Sequence, residues 1–221
     1  MVVEFVKRQL LKNDGRKALL IAYFYLIGLV LHAVPVTRPY MLIVTPYFLA
    51  VVGILVFLPL VRSRNWPVII WCAGTYAVTF ALEVVGVQTG IIFGSYNYGN
   101  VLGLQLGGVP LVIGFNWVLI ILGGVIFSRR FVHNPLLSAL IVGSIAFIVD
   151  FVLEPIAIGL GYWQWEDGTV PIRNYLSWFG IAFLSALIYN LAKLKTETKL
   201  PMYYVAVQAG FFIALRFFIT L

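Results

Sequence analysis

Val109-Pro-Leu-Val-Ile-Gly-Phe-Asn-Trp-Val-Leu-Ile-Ile-Leu-Gly-Gly-Val-Ile-Phe-Ser128 is twenty residues without a charge, and two arginines follow it at once. About 20 apolar residues are what a helix needs to cross the hydrocarbon core of a bilayer. The same pattern recurs along the chain, with apolar runs over roughly 17–34, 40–61, 67–91, 109–128, 135–159, 172–193 and 200–220. Of 221 residues, 62% are hydrophobic and only 10% charged. Soluble domains carry about 25% charged residues, so lipid must be the solvent for much of this surface. The expected fold is all-α, a polytopic integral membrane bundle of about seven transmembrane helices. It forms a single membrane domain over 1–221, with a motif-rich core at 67–180.

The formal charge of +7 is explained by topology rather than by a nucleic-acid partner. Lys7, Arg8, Lys12, Arg16 and Lys17 precede the first run. Arg62, Arg64, Arg129, Arg130, Lys193, Lys195 and Lys199 fall in loops of the same side. Arg38 and Arg173 fall on the other. The twelve-to-two bias predicts a cytoplasmic amino terminus and an outer carboxyl terminus in the cell membrane. Residues 1–16 read as a basic amphipathic segment at the cytoplasmic surface, without a cleavable leader pattern. One cysteine and two well-separated histidines, His32 and His133, exclude a disulfide framework and leave no ordinary zinc set.

The loops at 92–108 and 160–171 then share the outer side, and they look alike. Glu83 precedes Gly94 by the same interval that separates Asp150 from Gly161. Tyr96 and Tyr98 then align with Trp163 and Trp165, Val109-Pro110 with Val170-Pro171, and Trp117 with Trp178. An internal repeat is expected, and repeats in membrane folds often place a site at their interface.

Three acids lie inside the apolar runs: Glu83, Asp150 and Glu154. Each costs about 2.5–3.5 kcal/mol at the bilayer centre even on lenient scales. They are therefore expected to face the bundle interior. Asp150 and Glu154, four residues apart, share a helical face, where like charge disfavours double ionisation. Pro155 is expected to loosen the helix beside them. Gly86, Gly90 and Gly94 recur with Glu83 as a stripe that would admit a neighbouring helix. Asn116, Asn174, Tyr96, Tyr98, Tyr162, Trp163 and Trp165 are candidate pocket residues, or else interhelical glue and an interfacial aromatic belt. Arg173 reads as an interfacial anchor. Acids, amides and aromatics suit proton chemistry on an apolar substrate, since aromatic faces stabilise a cation and a carboxyl can serve as acid and then base. A proton-coupled carrier and a non-catalytic pigment-binding protein use similar inventories.

The stretches Glu83-Val-Val-Gly-Val-Gln-Thr-Gly90, Phe93-Gly-Ser-Tyr-Asn-Tyr98, Gly108-Val-Pro110 and Asn116-Trp117 resemble the carotenoid biosynthesis membrane family that contains CruF-type carotenoid 1,2-hydratases. So do Asp150, Leu153-Glu-Pro-Ile-Ala157, Gly161-Tyr-Trp-Gln-Trp165 and Pro171-Ile-Arg-Asn-Tyr175. The resemblance implies cofactor-free addition of water to the ψ-end of an acyclic carotenoid of bacterioruberin or lycopene type. It implies Glu83, Asp150 and Glu154 as catalytic residues, and as substrate-binding residues Tyr96, Tyr98, Asn116, Trp117, Tyr162, Trp163, Trp165, Asn174 and Trp178. No metal is implied. Partners would be the carotenoid, the lipid bilayer and other membrane enzymes of the pathway. A fainter likeness to membrane lycopene cyclases stops at Pro171-Ile172-Arg173-Asn174, where those proteins carry Pro-x-Glu-Glu.

Overall fold

A computed structural model of the chain describes residues 14–218. Seven helices run through them: α1 Asp14–Ala33, α2 Arg38–Arg62, α3 Trp66–Thr89, α4 Leu111–Ser128, α5 Pro135–Gly159, α6 Ile172–Leu191 and α7 Leu200–Phe218. Six are long and apolar enough to cross a membrane. The exception is α6, whose first turns carry Arg173, Asn174, Ser177 and Trp178 and whose last carries Tyr189 and Asn190. A broad outer surface of exposed apolar residues, among them Leu19, Ile43, Ile54 and Ile148, needs lipid as its solvent. The protein is a multi-pass membrane bundle. Of the expected amphipathic segment 1–16, residues 1–13 lie outside the described part, and Asp14 to Arg16 already belong to α1.

Local chemistry sets the helix ends. Pro67 stands in the first turn of α3, and Gly90 ends that helix in the left-handed conformation at φ 66°. At the start of α5, the Asn134 side chain accepts from the backbone N–H groups of Leu136 and Leu137 at 2.9 and 3.0 Å. Both α4 and α6 start directly after a Val-Pro step, with Pro110 and Pro171 in nearly the same extended conformation. Pro155 stands inside α5, which runs on to Gly159 as the expected span requires.

The centre of the bundle is α4. Val118 to Leu122 are all at most 1% exposed, the mark of a helix apolar on every side because it is covered on every side. At Gly123 an added Cβ would stand 2.6 Å from the carbonyl oxygen of Pro201, so α7 packs where only glycine fits.

The loops divide into two faces. On the basic face, Asn65 donates to the Lys195 carbonyl and Arg129 to the Leu194 carbonyl, so the loops carrying these cations lie side by side. A fourth buried acid sits here. Asp14 accepts from Thr198 Oγ1 at 2.8 Å and from the Lys199 N–H at 2.9 Å, which fixes the start of α1 to the start of α7. Sequence reading counted only three such acids. On the opposite face, β1 (Tyr96–Tyr98) pairs antiparallel with β4 (Trp163–Trp165), and β2 (Gln105–Leu106) with β3 (Val109–Pro110).

The β1–β4 register is symmetric. Tyr96 pairs with Trp165 and Tyr98 with Trp163, while the repeat aligns Tyr96 with Trp163 and Tyr98 with Trp165. Exchanging the two segments leaves the pairing unchanged. The flanking bonds obey the same exchange: Gly99 N–H to Tyr162 O at 2.8 Å, and Glu166 N–H to Ser95 O at 3.0 Å. A local two-fold axis therefore passes between Asn97 and Gln164. Trp117 and Trp178, also matched by the repeat, stack on each other with ring centroids 3.6 Å apart.

Candidate active site

The symmetric clasp forms the roof of a small cavity of about 30 Å³. Glu83 reaches it from α3, six residues before the helix ends, and Asp150 and Glu154 from the last turns of α5. All three carboxyls are 2% exposed. Their charges sit close enough to oppose one another, as the i, i+4 spacing on α5 requires.

Donors are shared unequally among the acids. Glu154 is the best supplied: Trp163 Nε1 and Trp165 Nε1 donate to its Oε2 at 2.9 and 3.0 Å, and Asn174 Nδ2 donates to its Oε1 at 3.1 Å. Both tryptophans belong to β4, where alternate residues share a face, so one three-residue strand turns two indoles onto one carboxyl. Asp150 accepts from Asn174 Nδ2 at 2.6 Å. Glu83 accepts a hydrogen bond from the Tyr96 hydroxyl.

The remaining wall is aromatic. The Trp117–Trp178 stack continues into Phe93, whose ring lies 5.1 Å from that of Trp178, and Tyr96 packs on Trp165 at 4.7 Å. Tyr98 and Asn116 complete the lining with Ile113 and Leu153. Sequence reading singled out twelve residues, and eleven of them line this cavity. The twelfth, Tyr162, is buried but faces a different cavity between α1, α2 and α7. It precedes Trp163 in the chain, and strand alternation turns the two rings to opposite sides.

One other expectation changes. The glycine stripe beside Glu83 admits no helix. An added Cβ on Gly86 would meet the Phe93 ring at 2.4 Å, and one on Gly94 would meet Pro171 at 2.7 Å, so the returning loop fills the groove. Arg173, read as an interfacial anchor, is exposed, and its Nη2 donates to the Gly90 carbonyl at 2.9 Å, closing the end of α3. Sequence reading also missed Tyr204 and Gln208, which both donate to Asn116 Oδ1, at 2.9 and 2.8 Å. A glutamine deep in an apolar run, four residues after a tyrosine, was the available signal.

Fold and site together define the class: a multi-pass membrane bundle with an acid-lined aromatic cavity in its interior. The chain matches the family of carotenoid biosynthesis proteins over residues 23–221, and it belongs to that family. It is 29% identical over 158 residues to a bisanhydrobacterioruberin hydratase of Haloarcula japonica, an alignment covering 66% of this chain and 54% of the relative. The chain thus spans about half the length of that curated relative. No solved structure matches it.

Proposed function

We propose that this protein is a carotenoid 1,2-hydratase, a lyase-type enzyme that adds water to the terminal double bond of an acyclic ψ-end through a tertiary carbocation and without a cofactor. The observation that carries the reading is the convergence of three buried carboxyls in one aromatic cavity, with their donors unequally divided.

The division suggests the roles. Glu154 has both oxygens engaged by N–H donors and serves as the fixed anion of the pair. Asp150, one helical turn away, is the general acid and delivers its proton to C2 of the end group. The cation at C1 is shielded by the aromatic wall of Tyr96, Trp117, Trp163 and Trp178. Water held by Asn116 adds to C1 and gives its proton to Glu83, which Tyr96 orients. Return of that proton to Asp150 resets the site, so the net change is one water added to one alkene. Each positioned acid or base contributes about 10²–10⁴-fold. A cavity of about 30 Å³ has room for water but not for an end group, so the aromatic wall must part to admit substrate. The basic face lies in the cytoplasm, with the acid site toward the outer side of the cell membrane.

The test is expression in a lycopene-producing bacterium, with the pigments separated by liquid chromatography and weighed. Hydration gives species heavier by one or two waters. If neither lycopene nor a C50 acyclic carotenoid changes while the protein is present in the membrane, the hydratase reading is wrong and a proton-coupled carrier replaces it.

A further inference from the structure

The proposed mechanism leaves a second cavity, between α1, α2 and α7, unused. Its volume is about 200 Å³. A cavity of about 150 Å³ takes benzene, so this one takes a branched end of about five to ten carbons. Its walls are mostly apolar, with Phe48 and Phe211 among them. Phe24 and Val44 line it and are also 47% and 46% exposed on the outer apolar surface, so it opens sideways toward lipid.

Two polar atoms in this wall lack a well-formed hydrogen bond. Tyr25 and His32 are each 5% exposed, yet His32 Nε2 makes no hydrogen bond and Tyr25 Oη has no well-formed one, its polar neighbours being Tyr204 and Gln208. His32 Nδ1 lies 2.7 Å from the Gly28 carbonyl oxygen, which must accept, so Nδ1 carries the proton and Nε2 is a bare acceptor. A buried acceptor left unpaired and a buried hydroxyl without a well-formed bond are costly and call for a guest that can bond to both.

The cavity also adjoins the acid site. Gln208 lines it and donates to Asn116, which lines the acid cavity. Tyr162 lines it too, and the next residue, Trp163, bonds Glu154. The two linings are thus joined by the direct hydrogen bond between Gln208 and Asn116.

We infer that this second cavity binds an isoprenoid end carrying a hydroxyl, which donates to His32 Nε2 and accepts from Tyr25 Oη. On the hydratase reading, on which the identity of the guest rests, it is the tertiary alcohol on its way from the acid site to the bilayer.

The experiment uses the purified full chain in lipid nanodiscs and a ten-carbon tertiary isoprenoid alcohol bearing a diazirine. After photolysis, labelled peptides are mapped by mass spectrometry, with the parent alcohol or the hydrocarbon of the same skeleton as competitor. Label is expected on α1 and α7, displaced by about ten-fold less alcohol than hydrocarbon, as a buried hydrogen bond supplies. Tyr25→Phe and His32→Phe should each lower that preference several-fold. Gly28→Leu should abolish labelling, since a Cβ there lies 3.8 Å from Phe211 and the rest of the side chain fills the space. Label elsewhere, or equal displacement by alcohol and hydrocarbon, overturns the inference; the latter assigns the cavity to plain lipid or water. Tyr25→Phe changes one oxygen and keeps the test open if Gly28→Leu fails to fold. No turnover is needed. Alcohol-selective labelling by a protein that hydrates no carotenoid would remove the hydratase reading and leave the site. Hydration without selective labelling would do the reverse.

Discussion

Residues 83–117 and residues 150–178 trace one path: a helix with a buried acid, a positive-φ glycine at Gly94 or Gly161, an aromatic strand, a Val-Pro step and a helix with a stacked tryptophan. Among the many positions at which the two paths differ, two bear directly on the acids. Val87 stands where the second half has Glu154, and Ile113 where it has Asn174. The first half also carries the extra β2–β3 hairpin. The first half therefore presents a lone acid bonded by a phenol, and the second an acid pair bonded by two indoles and an amide. Shared geometry brings the three carboxyls together; broken symmetry makes them inequivalent, which acid–base work requires.

That contrast can be broken at its strongest point by Asp150→Asn. Hydrated pigment should fall by about 10²–10⁴-fold at unchanged protein abundance. Near-normal product would mean the acid pair is not the proton source. Copying the second half onto the first is the next largest effect. Val87→Glu should destabilise the bundle, because it adds a carboxyl at a half-buried position beside Gly108 without the indole and amide donors that Glu154 has, read as a lower unfolding temperature in detergent. Adding Ile113→Asn should recover part of the loss; if it does not, the correspondence between the halves is not one of hydrogen-bonding positions. Glu154→Gln should cost about 1–3 kcal/mol, since the amide cannot accept fully from both indoles and Asn174 at once. The smallest change is Trp178→Phe, at about 0.5–1.5 kcal/mol for the weakened stack, and Trp117→Phe should match it if the axis is real.

Helices were legible from hydropathy because a spanning segment must be apolar throughout, and α5 begins and ends at the expected residues. The convergence of Glu83 with Asp150 and Glu154 was legible because a buried charge has few places to go. Strand pairing was not. Three-residue strands have no periodicity to read, and their partner lies 67 positions away. Glu83's glycine stripe misled because small residues admit any close neighbour, and here that neighbour is the ring of Phe93. Tyr162 lines the other cavity because adjacent aromatics in an extended segment point to opposite sides. Asp14 was missed because its partners, Thr198 and Lys199, are joined to it only by the fold.

The hydrogen bonds to the acids span short stretches of chain: 13 residues from Glu83 to Tyr96, 9 and 11 from Glu154 to its tryptophans, and 24 from Asp150 to Asn174. As the ribosome delivers the polypeptide, each carboxyl thus meets its partner within the same helical hairpin. Neither half has to wait in the bilayer with a naked charge for the other to be synthesised. The clasp between β1 and β4 then becomes a late docking event between two pieces that are already electrically settled. A gene cut between α4 and α5 should accordingly yield two fragments that insert separately and reassemble.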